Sequence, residues 1–210
     1  MRFVSIGAFA LLAASAAQAQ EERPQGWMTR FDREGVTEAN LERFVSMAPG
    51  WHISTGRGAG IFYDPSMTAR SEYTLTSTVL LFDPGRRHRE AYGVFFGGRD
   101  LQGDGQAYSY FVIRDTGEYL IKRRKGSSTE TVVDWTTTDA IMKYPGDGEQ
   151  AKNVLEVVCG AESVDFYVNG TKLTSLPRNQ LDVDGIVGLR LNHGLEVHVS
   201  ELHVDASGTR

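Results

Sequence analysis

The chain is poor in cysteine: Cys159 is the only one among 210 residues, so no disulfide can form within it. The sequence also lacks the Cys and His spacings of zinc sites and the G-x-S-x-G elbow of α/β-hydrolases. A hydrophobic core therefore has to hold the fold together. We interpret Cys159 as a small apolar member of that core.

Long apolar runs are missing everywhere except at the N-terminus. Residues 2–19 run from Arg2 through FVSIGAFALLAASAA to Ala17-Gln18-Ala19, which is the pattern of a secretory signal peptide. No later stretch approaches the ~20 apolar residues of a transmembrane helix. We therefore expect a signal peptide at 1–19 and an exported chain, periplasmic or secreted, with no transmembrane segment.

Positive charge is also scarce, since 22 Lys and Arg face 27 Asp and Glu, for a net charge of −5 at pH 7. Nucleic acids and anionic lipid surfaces are bound by an excess of Lys and Arg, so we expect no nucleic-acid partner. The one basic run, Lys122-Arg123-Arg124-Lys125, follows a strand pattern, and we interpret it as a solvated strand end.

Helical signals are few, whereas period-two alternation is frequent after Trp51. The best helix candidate is the short stretch Thr37–Phe44, opened by a Thr cap. Nine segments alternate or are rich in β-branched and aromatic residues, as strands are. These strand candidates are Glu72–Phe82, Ala91–Gly97, Ala107–Arg114, Glu118–Arg124, Thr131–Trp135, Asn153–Cys159, Val164–Val168, Ile186–Leu191 and Leu195–Val204.

The spacers between these strands predict tight hairpins. Asn169-Gly170 suits a type I′ turn, and Asp115-Thr116-Gly117 suits a short loop with glycine in the left-handed conformation. Strands joined in this way run antiparallel, and strands with one apolar face pack as two sheets. We predict an all-β, two-sheet antiparallel β-sandwich at 51–205, preceded by a 20–50 segment with a short helix and followed by a 206–210 tail.

The glycine-rich stretch GGRDLQGDGQ separates two strand candidates. Because no helix pattern follows it, it does not predict a phosphate-binding loop. Asp100 and Asp104 are spaced as at the start of an EF-hand, but the twelfth position is Phe111, which excludes that motif. No cofactor is otherwise expected, and a looser calcium site with Asp100 and Asp104 as ligands stays open.

Five short motifs and Val197 occur in an order that is familiar from a known fold. The motifs are Pro49-Gly50-Trp51-His52-Ile53, Tyr92-Gly93-Val94-Phe95-Phe96-Gly97-Gly98, Asp165-Phe166-Tyr167-Val168-Asn169-Gly170, Gly185-Ile186-Val187-Gly188-Leu189 and His193-Gly194. Together they resemble the concanavalin A-like lectin/glucanase superfold, and within it the chain is most similar to bacterial secreted domains of the 3-keto-disaccharide hydrolase domain family. The resemblance implies a jelly roll on which relatives bind or cut glycans.

Catalytic candidates follow from this resemblance. Retaining glucanases of the superfold carry E-x-D-x-x-E on one strand, and Glu196 to Glu201 has that spacing with His198 in place of the central Asp. The apolar phase of this strand shifts, which predicts a β-bulge near Ser200. The alternative is a solvated strand face. His193 matches a His-Gly of the hydrolase-like family and is a general base, a donor that contacts a sugar, or a turn residue.

Glycan binding requires aromatic faces and planar polar groups. Six residues at strand ends and loops have this character, although Tyr110 and Trp135 could equally pack in the core or at its edge. We predict an exported, non-catalytic, lectin-like module that binds a glycan or cell-envelope polysaccharide. The alternatives are a glycoside hydrolase and a structural domain with a protein partner. The six ligand-binding candidates are Arg99, Tyr108, Tyr110, Arg114, Trp135 and Asn192.

Overall fold

The structure is a computed structural model that describes residues 22–85 and 89–206. The predicted signal peptide and residues 207–210 lie outside this range. The described residues form fifteen strands and two short 3-10 helices, Glu38–Asn40 and Arg178–Gln180. The strands are β1 Met28–Phe31, β2 Arg43–Ser46, β3 Trp51–Ser54, β4 Gly60–Tyr63, β5 Thr68–Ala69, β6 Tyr73–Leu81, β7 Ala91–Arg99, β8 Ala107–Arg114, β9 Glu118–Lys125, β10 Ser128–Thr137, β11 Ala151–Cys159, β12 Ser163–Val168, β13 Thr171–Pro177, β14 Gly185–Leu191 and β15 Glu196–Ala206.

Two antiparallel sheets form a sandwich. Sheet A has the order β1-β4-β14-β7-β8-β9-β10, with β5 beside β14, and sheet B has the order β13-β12-β11-β6-β15-β3-β2. Phe111 from sheet A packs against Phe166 from sheet B with ring centroids 5.3 Å apart. Cys159 is buried in this core, as predicted. The predicted all-β, two-sheet antiparallel jelly roll is confirmed.

The period-two signal located most of the strands correctly. All nine predicted segments are strands, with ends that differ by three residues or fewer. Asn169 and Gly170 have φ values of 50° and 76°, as a type I′ turn requires, and Gly117 has a φ of 85°. The register of β15 on β6 shifts between Val199 and Glu201, which confirms the bulge near Ser200.

The sandwich begins before the predicted boundary at Trp51. Strands β1 and β2 lie within the 20–50 segment, where they form an edge of sheet A and of sheet B. The expected helix is a single 3-10 turn, Glu38–Asn40, because β2 begins at Arg43 and leaves no room for a second turn. Among the described residues, no helix has the length and apolar composition needed to cross a membrane.

Sheet A is buried on both faces. Its inner face joins the core between the sheets, and its outer face carries a second apolar cluster. We call this second group the outer cluster. Leu101, in the loop after β7, belongs to it and covers part of the face. The buried members of the outer cluster are Ile61, Tyr63, Ala91, Phe95, Leu101, Tyr108, Tyr110, Val112 and Leu120.

Candidate functional site

Residues from strands that are far apart in sheet A meet over its outer face. Strands β1 and β9 are five steps apart in the sheet order, about 24 Å in a flat sheet. Nevertheless Asp32, directly after β1, accepts a hydrogen bond from Arg124 of β9, with Oδ1 and Nη2 3.3 Å apart. Arg30 of β1 donates to the carbonyls of Leu101 and Gly103, at 3.3 and 3.1 Å. The face is therefore concave and partly covered.

A cleft of about 590 Å³ opens between these covering elements. Its volume lies within the ~300–1,000 Å³ of small-molecule sites. Charged and amide side chains dominate its walls, so it suits a polar ligand. The lining residues come from the end of β1, the β7–β8 loop and the β9–β10 hairpin: Arg30, Phe31, Asp32, Arg33, Glu34, Asp104, Gln106, Arg124, Gly126 and Ser127.

One carboxylate and two guanidinium groups lie between the cleft and the outer cluster. Asp32 pairs through one oxygen with Arg124 and through the other with Arg190, whose side chain is 8% exposed. The Arg190 guanidinium carbon lies 5.5 Å from the Tyr110 ring centre, and that of Arg124 lies 5.8 Å from Tyr108. These cation–π contacts fix both guanidinium groups against the rings.

The structure changes the interpretation of two predicted ligand residues. Tyr108 and Tyr110 are only 1% and 7% exposed, and burial raises the pKa of both phenols. They face the cleft side of the sheet but lie beneath the arginines. The geometry thus favours a packing role, which the sequence left open for Tyr110 but did not suggest for Tyr108. Their contact with a ligand stays a prediction.

A second polar group occupies the other end of the same face. The Arg114 guanidinium carbon lies 3.9 Å from the Trp135 ring centre. Glu118 Oε2 accepts from Arg114 Nε at 2.8 Å and from Thr116 Oγ1 at 2.6 Å. These bonds lower the pKa of Glu118 to about 2. The result is a planar ionised pair beside a half-buried indole ring.

Asn192, directly after β14, lies on the other side of Arg114 from Trp135 in the order of the sheet. Its backbone N–H donates to the carbonyl of Ala91, which is itself paired with Arg114 of β8. His193 follows it at the turn, is 60% exposed in its side chain, and has Nδ1 3.5 Å from Glu90 Oε2. The structure therefore brings Asn192, Arg114 and Trp135 to one end of the outer face, with His193 at its edge.

Arg99 lies apart from this group. It pairs with Asp182, which also accepts from Arg123 Nε at 2.5 Å. Asp182 is buried, and its backbone N–H donates to Ser109 Oγ at 2.8 Å. The predicted solvated end at Lys122–Lys125 is therefore wrong for Arg123 and Arg124: their side chains are 20% and 12% exposed and bind Asp182 and Asp32. Carboxylates distant in sequence explain the difference.

The carboxylate of Asp100 is turned into its own loop. Its Oδ2 accepts the backbone N–H of Gly105 at 3.0 Å, and a Cβ at Gly103 would lie 2.1 Å from its Oδ1. Asp104 lines the cleft nearby. In residues 22–85 and 89–206, no group of three His, Cys, Asp or Glu side chains is placed to hold a metal ion. A calcium site at Asp100 and Asp104 stays an untested prediction.

The carboxylates predicted for catalysis lie on the outer face of sheet B. Glu196 Oε1 is 3.0 Å from His52 Nε2, and Glu201 Oε2 accepts from Thr78 Oγ1 at 2.8 Å. Both side chains are about half exposed. Because β15 belongs to sheet B, neither carboxylate shares a face with the cleft. Their catalytic role stays a prediction, and it would require a site separate from the cleft.

Sequence reasoning missed three residues of the site: Asp32, Arg124 and Arg190. Arg190 lies inside the predicted strand Ile186–Leu191, where a lone charge between Leu189 and Leu191 marks a polar position on an otherwise apolar strand. That signal could have identified it. Asp32 carries no comparable pattern, because it follows a four-residue strand and its partners are 92 and 158 residues away.

Comparison with known proteins supports the fold. No protein-family model matches the chain, and no curated protein matches its sequence, so the hydrolase-like family stays a prediction. Among solved structures, the carbohydrate-binding module CBM66 from Bacillus subtilis aligns with a TM-score of 0.61 and 11% identity, over 86% of this chain and 96% of that one.

Two further structures share the architecture. A GH16 protein of a Bacteroides ovatus mixed-linkage glucan PUL, in complex with a G4G4G3G product, has a TM-score of 0.58 and 9% identity, and covers 88% of this chain and 97% of its own. A Bacillus subtilis protein of unknown function with a galectin-like fold has a TM-score of 0.51 and 12% identity, over 75% and 82%. These similarities support the two-sheet jelly-roll fold of this chain and show nothing of its function.

Proposed function

We propose that this protein is an exported, non-catalytic module that binds a glycan, such as a cell-envelope polysaccharide, on the outer face of sheet A. The observation that carries the proposal is the cleft of about 590 Å³ on this face, lined by charged and amide groups. Sugars present many hydroxyl groups, and fixed planar donors and acceptors recognise them by paired hydrogen bonds. Asp32, Arg124 and Gln106 offer such groups.

The distribution of the predicted ligand residues supports the same face. Tyr108, Tyr110 and Arg114 lie on β8, and Trp135 lies on β10, two strands further along the sheet, where it packs against the outer cluster. Asn192, directly after β14, lies at the far end of this set of residues. An extended oligosaccharide could thus run from the cleft towards Trp135, whose half-buried ring offers apolar surface to a sugar face.

Two proteins of similar fold have names that agree with this proposal. One neighbour is named a carbohydrate-binding module, and another was solved with a glucan product. At 11% and 9% identity these neighbours carry no residue roles to this chain. The non-catalytic part of the proposal is supported by the separation of Glu196 and Glu201, which lie on sheet B, from the cleft.

The test is a glycan array and polysaccharide pull-down with the chain from residue 20, with calcium and with a chelator, and with reducing-sugar release assayed on each hit. The proposal predicts binding without release, and weaker binding for Trp135→Ala. Loss of release in Glu201→Gln, with the fold intact, would instead establish the hydrolase. Absence of binding to every glycan would overturn the proposal.

A further inference from the structure

Cationic side chains gather on the outer face of sheet A, in a chain whose net charge is −5. Arg30, Lys122 and Arg190 lie on this face, since each is paired in register with a residue of the outer cluster. Arg114 and Arg124 lie against the rings of Trp135 and Tyr108, and Arg33 lines the cleft. The carboxylates of the face and its edges are Asp32, Glu34, Glu90, Asp100, Asp104 and Glu118.

The cationic groups of this face differ in how closely each is paired with a carboxylate. Arg114 has its own carboxylate, Glu118, at 2.6–2.8 Å. Arg124 and Arg190 instead share the single carboxylate of Asp32. Glu34 and Asp104 are exposed at the mouth, where water screens them. One positive charge is therefore left without a close counter-charge where both guanidinium groups are largely buried.

Arg124 is also weakly bound by hydrogen bonds. Its contacts to Asp32 and to the carbonyl of Gly126 are 3.3 and 3.4 Å long, beyond the usual range for N–H···O bonds. Within the described part of the chain, Nε of Arg124 and both Nε and Nη1 of Arg190 are buried without a hydrogen-bond partner. Those buried nitrogens are out of reach of a ligand, whereas Nη1 and Nη2 of Arg124 make only the two long contacts to described residues, and Arg124 lines the cleft. These two nitrogens are the donors that a carboxylate in the cleft can bind.

We propose that the cleft selects acidic glycans, and that Arg124 pairs with the carboxylate of a uronic acid unit. The inference rests on the proposed glycan-binding function and names its substrate class. The uronate carboxylate supplies the second counter-charge that Asp32 alone does not provide, in the planar geometry that guanidinium groups bind most strongly. Lys122, opposite Tyr110 on β9, adds a cation on the same face for the next acidic unit.

The experiment measures affinity for three polyuronates, polygalacturonate, alginate and polyglucuronate, each paired with its methyl-esterified form. The esters keep the sugar backbone and remove the charge. We expect at least one acid form to bind about 10- to 100-fold more tightly than its ester, as charged hydrogen bonds do, and to weaken as salt rises. Arg124→Gln should abolish this preference.

Lys172→Gln is the matched control, since Lys172 lies on sheet B in a half-exposed ion pair with Asp165. It should keep the preference. A thermal melt checks that Arg124→Gln is folded; if it is not, Lys122→Gln should reduce the salt dependence instead. Equal affinity for acid and ester, or binding of neutral glycans alone, would overturn the inference and leave the proposed function standing. No glycan binding at all would overturn both.

Discussion

Asp32 and Arg124 join two distant parts of sheet A by a hydrogen bond of 3.3 Å across the mouth of the cleft. Residue 32 follows the edge strand β1, whereas residue 124 is the second-last residue of β9, five strands away in the sheet. This contact converts an open sheet face into a covered one. The tyrosines that would form a flat stacking platform on an open face are therefore packed beneath ionised groups.

Removing the shared carboxylate should destabilise the fold. Asp32→Asn leaves the buried Arg190 without a counter-charge, and we expect a loss of about 3 kcal/mol in the free energy of unfolding. Asp165→Asn is the control, because its pair with Lys172 is on the surface and is worth about 0–1 kcal/mol. Urea denaturation measures both, and similar losses in the two variants would contradict the account.

Tyr108 and Trp135 should respond differently to truncation. Tyr108 is 1% exposed, so Tyr108→Ala should cost about 3–5 kcal/mol, as large aromatic deletions in cores do. Trp135 is half-buried on β10, and Trp135→Ala should cost about 1 kcal/mol, the centre of the range for point mutants. Denaturation of both variants checks this. Equal costs would show that Trp135 is also a core residue.

Glu118 should contribute to acid sensitivity. Its pKa is about 2 in the fold, because Arg114 and Thr116 bind its carboxylate, against about 4.3 in the unfolded chain. A lowered folded pKa stabilises the fold above about pH 4.3, and that contribution is lost as the pH falls towards 2. Glu118→Gln should therefore lose less stability than wild type between about pH 5 and pH 2. Identical pH profiles would remove Glu118 from this role.

Cys159 should be unreactive in the folded protein. It is 1% exposed, and burial raises the pKa of its thiol to about 11, so little thiolate forms near neutral pH. We expect a thiol reagent at pH 8 to label the chain only in denaturant. Rapid labelling of the native protein, followed by mass spectrometry, would show that the β11 region opens.

The sequence predicts the strands of eight residues or more well, whether one face is buried or both. β11 and β12 alternate between core and surface, so their period-two pattern is clear. β4 was missed because four residues are too few to show a period, whereas the nine-residue β7, which is also buried on both faces, was predicted. β13 was missed for a different reason, since it is an edge strand with no buried residue and ends in Pro177.

The candidate site was less predictable than the fold. Tyr108 and Tyr110 were recognised as aromatic residues of one strand face, but their burial depends on Leu101 and on the segment after β1, which local patterns do not place. The basic run at 122–125 looked like a solvated end because its carboxylate partners are far away in sequence. Charge pairing over 59 and 92 residues is a property of the sheet order, which composition does not encode.

The most direct test of the central claim is amide hydrogen exchange of the chain with and without the glycan that it binds most tightly. If the outer face of sheet A is the binding face, protection should increase at residues 30–34, 100–106 and 122–127 and stay unchanged along β15. Protection along Glu196–Ala206 instead, or no change at the cleft, would contradict the account.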